Sequence, residues 1–159
     1  MLPINRLLEY QAETCAMLRD CNNKKLFGFT DMVIDDSELS KILKEREEGD
    51  NSMLISVMPE FYMKGQEDNA KWENVLQFFI LDKTHYSEHD RDSFRDIFVQ
   101  TQIKAQAFVK KLIEDKANRE GVFCNFLSWL DESSITVSPV WKKDGCNGWM
   151  IQFNFDTPL

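Results

Sequence analysis

The chain has 159 residues, the usual length of one domain, and 43% of them are hydrophobic, so it can bury a core without disulfides or a metal. Its 27 acidic and 19 basic residues give a net charge of −8, which repels nucleic acid phosphates and anionic membrane surfaces. We therefore expect a single domain over residues 1–159, with proteins rather than nucleic acids or membranes as partners.

The N-terminal third predicts two helices separated by a short apolar segment. Residues 4–20 carry apolar side chains at helical spacing, and Pro3 is well placed in the first turn. Residues 26–32 are apolar and aromatic and include a glycine, a composition that fits either a short strand or a bend. Ser37 then offers a cap for a largely charged helix over residues 38–47, which we expect at the surface, as a helix or a mobile flap.

From residue 53 onward the apolar residues alternate, which is the period of a strand. The pattern predicts strands over residues 53–63 and 72–82, joined by a polar loop. Pro59 has no N–H to donate, so we expect a bulge or an edge position there. Both faces of the second strand are apolar, which indicates a central strand that is covered on both sides.

Residues 91–116 give the clearest pattern in the chain. One apolar stripe at helical spacing predicts a helix about 40 Å long. Gly121 ends it, and residues 123–130 form a short aromatic turn. Strands over residues 135–142 and 149–155 follow, and the turn between them contains Asp144-Gly145 and Asn147-Gly148, pairs that tolerate the positive φ of tight hairpins.

This order of elements predicts an α+β fold. We expect a four-stranded, mainly antiparallel sheet of two hairpins, with the long helix and the N-terminal helices packed on one face. The predicted core consists of Leu7, Leu8, Ile55, Val57, Phe78, Ile80, Phe98, Phe108, Leu112, Ile135, Val137, Ile151 and Phe153.

Neither export nor membrane insertion is predicted. Residues 1–10 lack a basic segment followed by an apolar run, and no apolar run approaches the ~20 residues of a membrane helix. The four cysteines, Cys15, Cys21, Cys124 and Cys146, show no CxxC spacing, so we expect reduced and buried thiols. These features favour a cytoplasmic protein.

Residues with the chemistry of a catalytic or metal site are few. His85 and His89 have the i, i+4 spacing of a helical metal pair and are the metal candidates, although no third ligand is defined in their segment. Phosphate-loop, dinucleotide-binding and nucleophile-elbow motifs are absent. We therefore expect no catalytic residue and no cofactor.

Two features point to a protein interface. Residues 31–50 contain eight carboxylates against three basic side chains, so a basic partner would meet the chain there. Trp141 and Trp149 flank the last hairpin, where they either pair across it in the core or, if exposed, mark an interface. The candidate interface residues are Asp35, Asp36, Glu45, Glu47, Glu48, Trp141 and Trp149.

In its order of elements the chain, over residues 4–155, resembles the small tail-terminator and tail-completion proteins of long-tailed bacteriophages and prophages. The resemblance rests on an N-terminal helix, a strand pair, one long helix and a final strand pair that ends in Gly-Trp-Met-Ile-Gln-Phe-Asn-Phe at residues 148–155. It implies a non-enzymatic structural subunit of a homo-oligomeric ring that caps the tail or joins it to the neck, and a place in the virion.

Two other functions fit the composition. An acidic immunity or inhibitor protein would occupy the basic groove of a toxin nuclease. A small-ligand binding domain would use an aromatic pocket with convergent polar groups.

Overall fold

The computed structural model describes residues 1–47, 49, 52–66 and 68–159, apart from the side chain of Glu88. Its helices and strands are α1 (Ile4–Met17), β1 (Phe29–Val33), α2 (Asp36–Lys44), β2 (Met53–Lys64), β3 (Lys71–Lys83), α3 (Arg91–Ala117), α4 (Cys124–Leu127), β4 (Leu130–Lys143) and β5 (Cys146–Pro158). A 3-10 turn at Tyr86–Glu88 precedes α3. The predicted α+β class is confirmed. None of the described helices is long and apolar enough to cross a bilayer.

The strands form one mixed sheet of five, in the order β1-β2-β3-β5-β4. β1 runs parallel to β2, and the other neighbours are antiparallel. The expectation of four strands was wrong because the segment that could be a strand or a bend forms β1. Parallel neighbours need a crossover connection, and α2 provides it. β3 is central, as its two apolar faces predicted.

A hydrophobic core lies on each face of the sheet, because successive strand residues point to opposite sides. Phe78 and Ile80 pack with α1, α3 and α4 in the larger core. Ile55 and Leu81 pack with Leu39 of α2 in the smaller core. The helices therefore occupy both faces, and the expectation that all of them share one face was wrong for α2.

Aspartate side chains cap the N-termini of α2 and α3. The sequence pattern assigns the α2 cap to Ser37 and assigns no cap to α3. Asp35, rather than Ser37, caps α2, and its carboxylate accepts the backbone N–H of Glu38 at 2.9 Å. Asp90 caps α3 by accepting two backbone N–H groups of the first turn. The first N–H groups of a helix have no partner inside the helix, so these acceptors fix where each helix begins.

Two sequence signals for irregular backbone are confirmed, one in the middle of β2 and one at the β4–β5 turn. The β2–β3 register shifts between Val57 and Glu60, so Pro59 lies in a bulge. Asp144 and Gly145 have φ of 50° and 79° and form the β4–β5 turn.

Gly148 is not part of that turn. It lies inside β5, where a Cβ would stand 2.1 Å from the carbonyl oxygen of Ile80. The close approach of β3 to β5 therefore requires glycine at this position.

Most of the predicted core is buried, and the two residues that are exposed share a cause. Leu7, Ile55, Phe78, Ile80, Phe108, Leu112, Ile151 and Phe153 are buried. Val57, Phe98 and Ile135 are half-buried, and Leu8 and Val137 are 45% and 44% exposed. Leu8 and Val137 fit the period of their elements but lie where no neighbouring element covers them.

A buried glutamine holds α1 against β1 and β2. Gln11 is 2% exposed, and its amide nitrogen lies 2.8 Å from the Thr30 hydroxyl, 2.7 Å from the Asp31 carbonyl oxygen and 3.0 Å from that of Leu54. Its amide oxygen accepts the Ser56 hydroxyl at 2.6 Å. Because buried polar groups need partners, this network fixes the position of α1 over this end of the sheet.

Candidate protein-binding surface

The helix α3 crosses β3 and β5 and leaves the outer part of the edge strand β4 uncovered. Val137 pairs with Ile151, and Pro139 pairs with Trp149, so these β4 residues face the same side of the sheet as α3. Val137, Pro139 and Trp141 are nevertheless exposed. The helix α3 therefore leaves this apolar row at the edge of the sheet largely open to solvent.

The uncovered row and the flank of α3 form an apolar groove of about 570 Å³. Its walls are Ala105, Val109 and Ile113 on the helix and Val137 and Trp149 on the sheet. Polar and charged side chains stand along the helical rim: Gln102, Gln106, Lys110 and Glu114. A small-molecule site encloses most of its ligand, whereas Ile113 and Val137 face solvent at 37% and 44% exposure. The shape suits a protein surface laid along it.

Near the start of α3 lies a smaller aromatic cleft of about 290 Å³, lined by Phe94, Phe98, Trp141 and two arginines. Trp141 stacks on Phe98 at 5.9 Å and meets Phe94 edge-on at 5.1 Å. Trp149 contacts the other side of Phe98 at 5.9 Å and donates its indole N–H to the Phe98 carbonyl oxygen at 3.0 Å. Phe98 and Trp149 thus join the aromatic cleft to the groove.

Cations surround the aromatic cleft. Arg91 and Arg95 line it. Arg95 pairs with Asp92 at 3.1 Å, and Arg91 has no ion pair with any described side chain. The Lys142 ammonium lies 5.3 Å from the Trp141 ring centre. Exposed tryptophan beside arginine is the composition enriched at binding hot spots.

The structure separates the two halves of the predicted interface. Trp141, 53% exposed, and half-buried Trp149 lie together on the α3 side. The carboxylates belong to α2 and the segment after it: Asp35, Asp36, Glu45 and Glu47 are all exposed. Asp36 pairs with Lys143 at 2.5 Å. Glu48 lies outside the described residues.

The junction of β1 and α2 presents an apolar residue that the sequence analysis did not single out. Ile34 is 69% exposed and is flanked by the exposed carboxylates of Asp35 and Glu38, with exposed Asp31 three residues before it on β1. Its N–H donates to the Glu38 carboxylate at 2.7 Å. We call these residues, with Asp36, the β1–α2 corner. Alternation places Ile34 on the face opposite to that of Val33, and its exposure follows from the end of the cover over β1, which no local pattern indicates.

The two histidines lie at the ends of the 3-10 turn rather than on one helix. His85 is exposed, and the ring of His89 packs 5.4 Å from that of Phe94. Within the part of the chain that the structure describes, no group of three or more His, Cys, Asp or Glu side chains is arranged to hold a metal ion. Among the described side chains, the fold therefore brings no third ligand to this pair.

A buried polar cluster connects α3 to the sheet. The Ser52 hydroxyl donates to the Asp82 carboxylate, and the Lys104 ammonium donates to Ser52 and lies 3.3 Å from Asp82. Serine and lysine form a nucleophile and base in some hydrolases. Ser52 is only 1% exposed, so a substrate cannot approach its hydroxyl. We interpret this cluster as a structural link.

The cysteines are all free, as expected, but only one is fully buried. Burial raises the pKa of the Cys146 thiol to about 11 and also raises the pKa of Cys15. Cys21 is exposed, and Cys15 and Cys124 are half-buried. The expectation of buried thiols was therefore correct only for Cys146.

Comparison with protein-family models, with curated proteins and with solved structures finds no match to this chain. The functional inference therefore depends on the surface itself.

Proposed function

We propose that this protein is a non-enzymatic assembly protein whose copies associate through the groove between α3 and β4. The observation that carries the proposal is the apolar row of β4, Val137, Pro139 and Trp141, which faces the helical side of the sheet and lies open to solvent. Large exposed apolar surfaces mark interaction sites, since covering them removes apolar area from water. Soluble proteins most often cover such surfaces with further copies of themselves.

The side chains of β4, rather than its backbone edge, are suited to this contact. β4 carries Pro139, and its pairing with β5 shifts register between Asp131 and Thr136 and again between Val140 and Lys143. Proline and bulges on an edge strand oppose the addition of another strand. A partner is therefore expected to pack into the groove without extending the sheet.

The resemblance in element order to tail-terminator proteins supports a ring as the form of the assembly and the virion as its place. This chain differs from that order by the parallel strand β1 and its connection through α2. Both additions lie away from the groove, at the β1 end of the sheet and on its other face.

The solution mass of Val137→Asp, measured by light scattering over a range of concentrations, tests this function. We expect a concentration-dependent oligomer for the wild type and a monomer for the variant, because a carboxylate in the groove wall loses its hydration on contact. Leu8→Asp is the matched control, since Leu8 has nearly the same exposure but lies on α1. A wild type that stays monomeric throughout, or equal loss in both variants, would contradict the proposal.

An acidic inhibitor module is the second candidate function, and the exposed carboxylates of the β1–α2 corner favour it. Such a module would remain monomeric and bind one basic protein through that corner. Calorimetry with a basic nuclease, compared between the wild type and Asp31→Lys, distinguishes the two functions. Binding that depends on Asp31 in a monomeric protein supports the inhibitor function, and absence of binding in an oligomeric protein supports assembly.

A further inference from the structure

We infer that the β1–α2 corner of one copy docks into the aromatic cleft of a second copy. This inference rests on the proposed function and identifies which second surface meets the α3 side of the sheet. The contact joins two different surfaces of the same chain, and every copy carries both. Such head-to-tail contacts propagate from copy to copy and close into a ring when the rotation per step allows.

The two surfaces are complementary in shape. Ile34 stands out from the corner with 69% of its surface exposed. The aromatic cleft, about 290 Å³ in volume and walled by Phe94, Phe98 and Trp141, has room for a side chain of that size. Aliphatic anchors in aromatic pockets are typical of the centre of an interface.

The two surfaces are also complementary in charge. Asp35 and Glu38 flank Ile34, Asp31 lies three residues before it on β1, and all three carboxylates are exposed. Arg91 and Arg95 line the cleft. In a chain with a net charge of −8, a cationic apolar cleft is the surface that attracts the carboxylates of another copy.

The corner is held in shape before any contact forms. The Asp35 carboxylate accepts the Glu38 N–H at 2.9 Å, and the Glu38 carboxylate accepts the Ile34 N–H at 2.7 Å. Asp36 is fixed by Lys143 of the β4–β5 hairpin. A preorganised anchor loses little conformational freedom on binding, which favours association.

Docking at the cleft also covers the groove. Phe98 lines the cleft and contacts Trp149, which lines the groove. A copy anchored at the cleft is therefore placed beside the uncovered row of β4. The corner contact and the groove contact thus belong to one interface.

A charge exchange tests the pairing. One variant reverses the corner (Asp31→Lys with Glu38→Lys), and the other reverses the cleft (Arg91→Glu with Arg95→Glu). We expect each variant alone to be monomeric in sedimentation experiments. An equimolar mixture should associate again into mixed oligomers, because the reversed corner attracts the reversed cleft and the unchanged corner attracts the unchanged cleft. Arg19→Glu with Lys24→Glu, which changes the net charge as the cleft variant does, should associate like the wild type.

A second variant is needed because Glu38→Lys removes a hydrogen bond within the corner. Ile34→Ser leaves every hydrogen bond of the corner in place. We expect it to weaken association ~30-fold, the loss typical of a buried anchor. Added salt should weaken wild-type association, since the screening length falls to about 3 Å at 1 M.

The outcomes separate the two proposals. A wild type without self-association contradicts the assembly function itself. A wild type that associates, together with corner, cleft and Ile34→Ser variants that associate equally well, overturns the corner–cleft contact and leaves the assembly function standing. Failure of the mixture to associate when each reversed variant is a folded monomer also overturns the contact.

Discussion

The two edge strands of the sheet differ in how the helices cover them. β1 has α1 on one side, held by Gln11, and on the other side its Val33 packs into the core beneath α2. β4 presents Val137 and Trp141 to the helical side, where α3 reaches Trp141 through Phe94 and Phe98 but leaves both β4 residues exposed. The sequence period of a strand shows which way a side chain points. Whether a helix lies above it is decided by the connections between elements.

The largest contrast is expected between a covered and an uncovered apolar residue on the helical side of the sheet. Phe108 of α3 is fully buried and packs 4.9 Å from Phe78, so Phe108→Ala should cost about 3–5 kcal/mol of unfolding free energy. Val137→Ala on β4 should cost less than about 1 kcal/mol, because its side chain is already exposed. Urea denaturation of both variants measures this difference. Similar costs would mean that β4 is covered.

A smaller loss of unfolding free energy is expected from replacing Gln11, the polar side chain that holds α1 over β1. Gln11→Ala removes the acceptor of the buried Ser56 hydroxyl, and it removes one of the donors to the Leu54 carbonyl oxygen, which the Thr30 hydroxyl still contacts. We expect a loss of about 2–3 kcal/mol, since buried polar groups without partners are costly. Glu13→Ala, an exposed change on the same helix, is the control. If the two variants unfold at the same urea concentration, the network does not stabilise the β1 end.

The smallest expected effect concerns the alkylation rates of two cysteine thiols. Their comparison needs no substitution and so changes no contact in the folded state. Cys146 lies at the start of β5 in the core beneath α2, and burial raises its pKa to about 11. At pH 8 only ~0.1% of such a thiol is thiolate, so it should react with iodoacetamide far more slowly than exposed Cys21. Raising the pH toward 11 should speed the reaction of Cys146. Mass spectrometry of labelled peptides measures both rates, and equal rates would mean that α2 does not cover this strand.

Periodicity predicted the long elements of this fold but not the way they are covered. α3, β2 and β3 were predicted to within one residue at each end, because each repeats one apolar period over many residues, whereas β5 extends three residues beyond its predicted range at each end. β1 was left open between strand and bend, because five residues are too few to establish a period. The face of the sheet on which α2 lies depends on the parallel crossover from β1 to β2, which no local sequence pattern indicates.

The candidate interface was predicted only in part, for the same reason. Trp141 and the α2 carboxylates were identified by composition and are exposed. Val137 was assigned to the core because it alternates correctly, although nothing covers it. Ile34 was not singled out, since its exposure follows from the register of β1, which was not established from the sequence.

The irregular edge of β4 has a consequence for how this protein accumulates in a cell. A long regular edge strand accepts further strands without limit, which is the geometry of amyloid growth. Pro139 and the two register shifts remove that template from β4, while its apolar side chains stay available. We therefore expect this protein to reach high concentrations in a cell without seeding fibrils from β4, because its exposed apolar side chains stand on an edge that does not accept another strand.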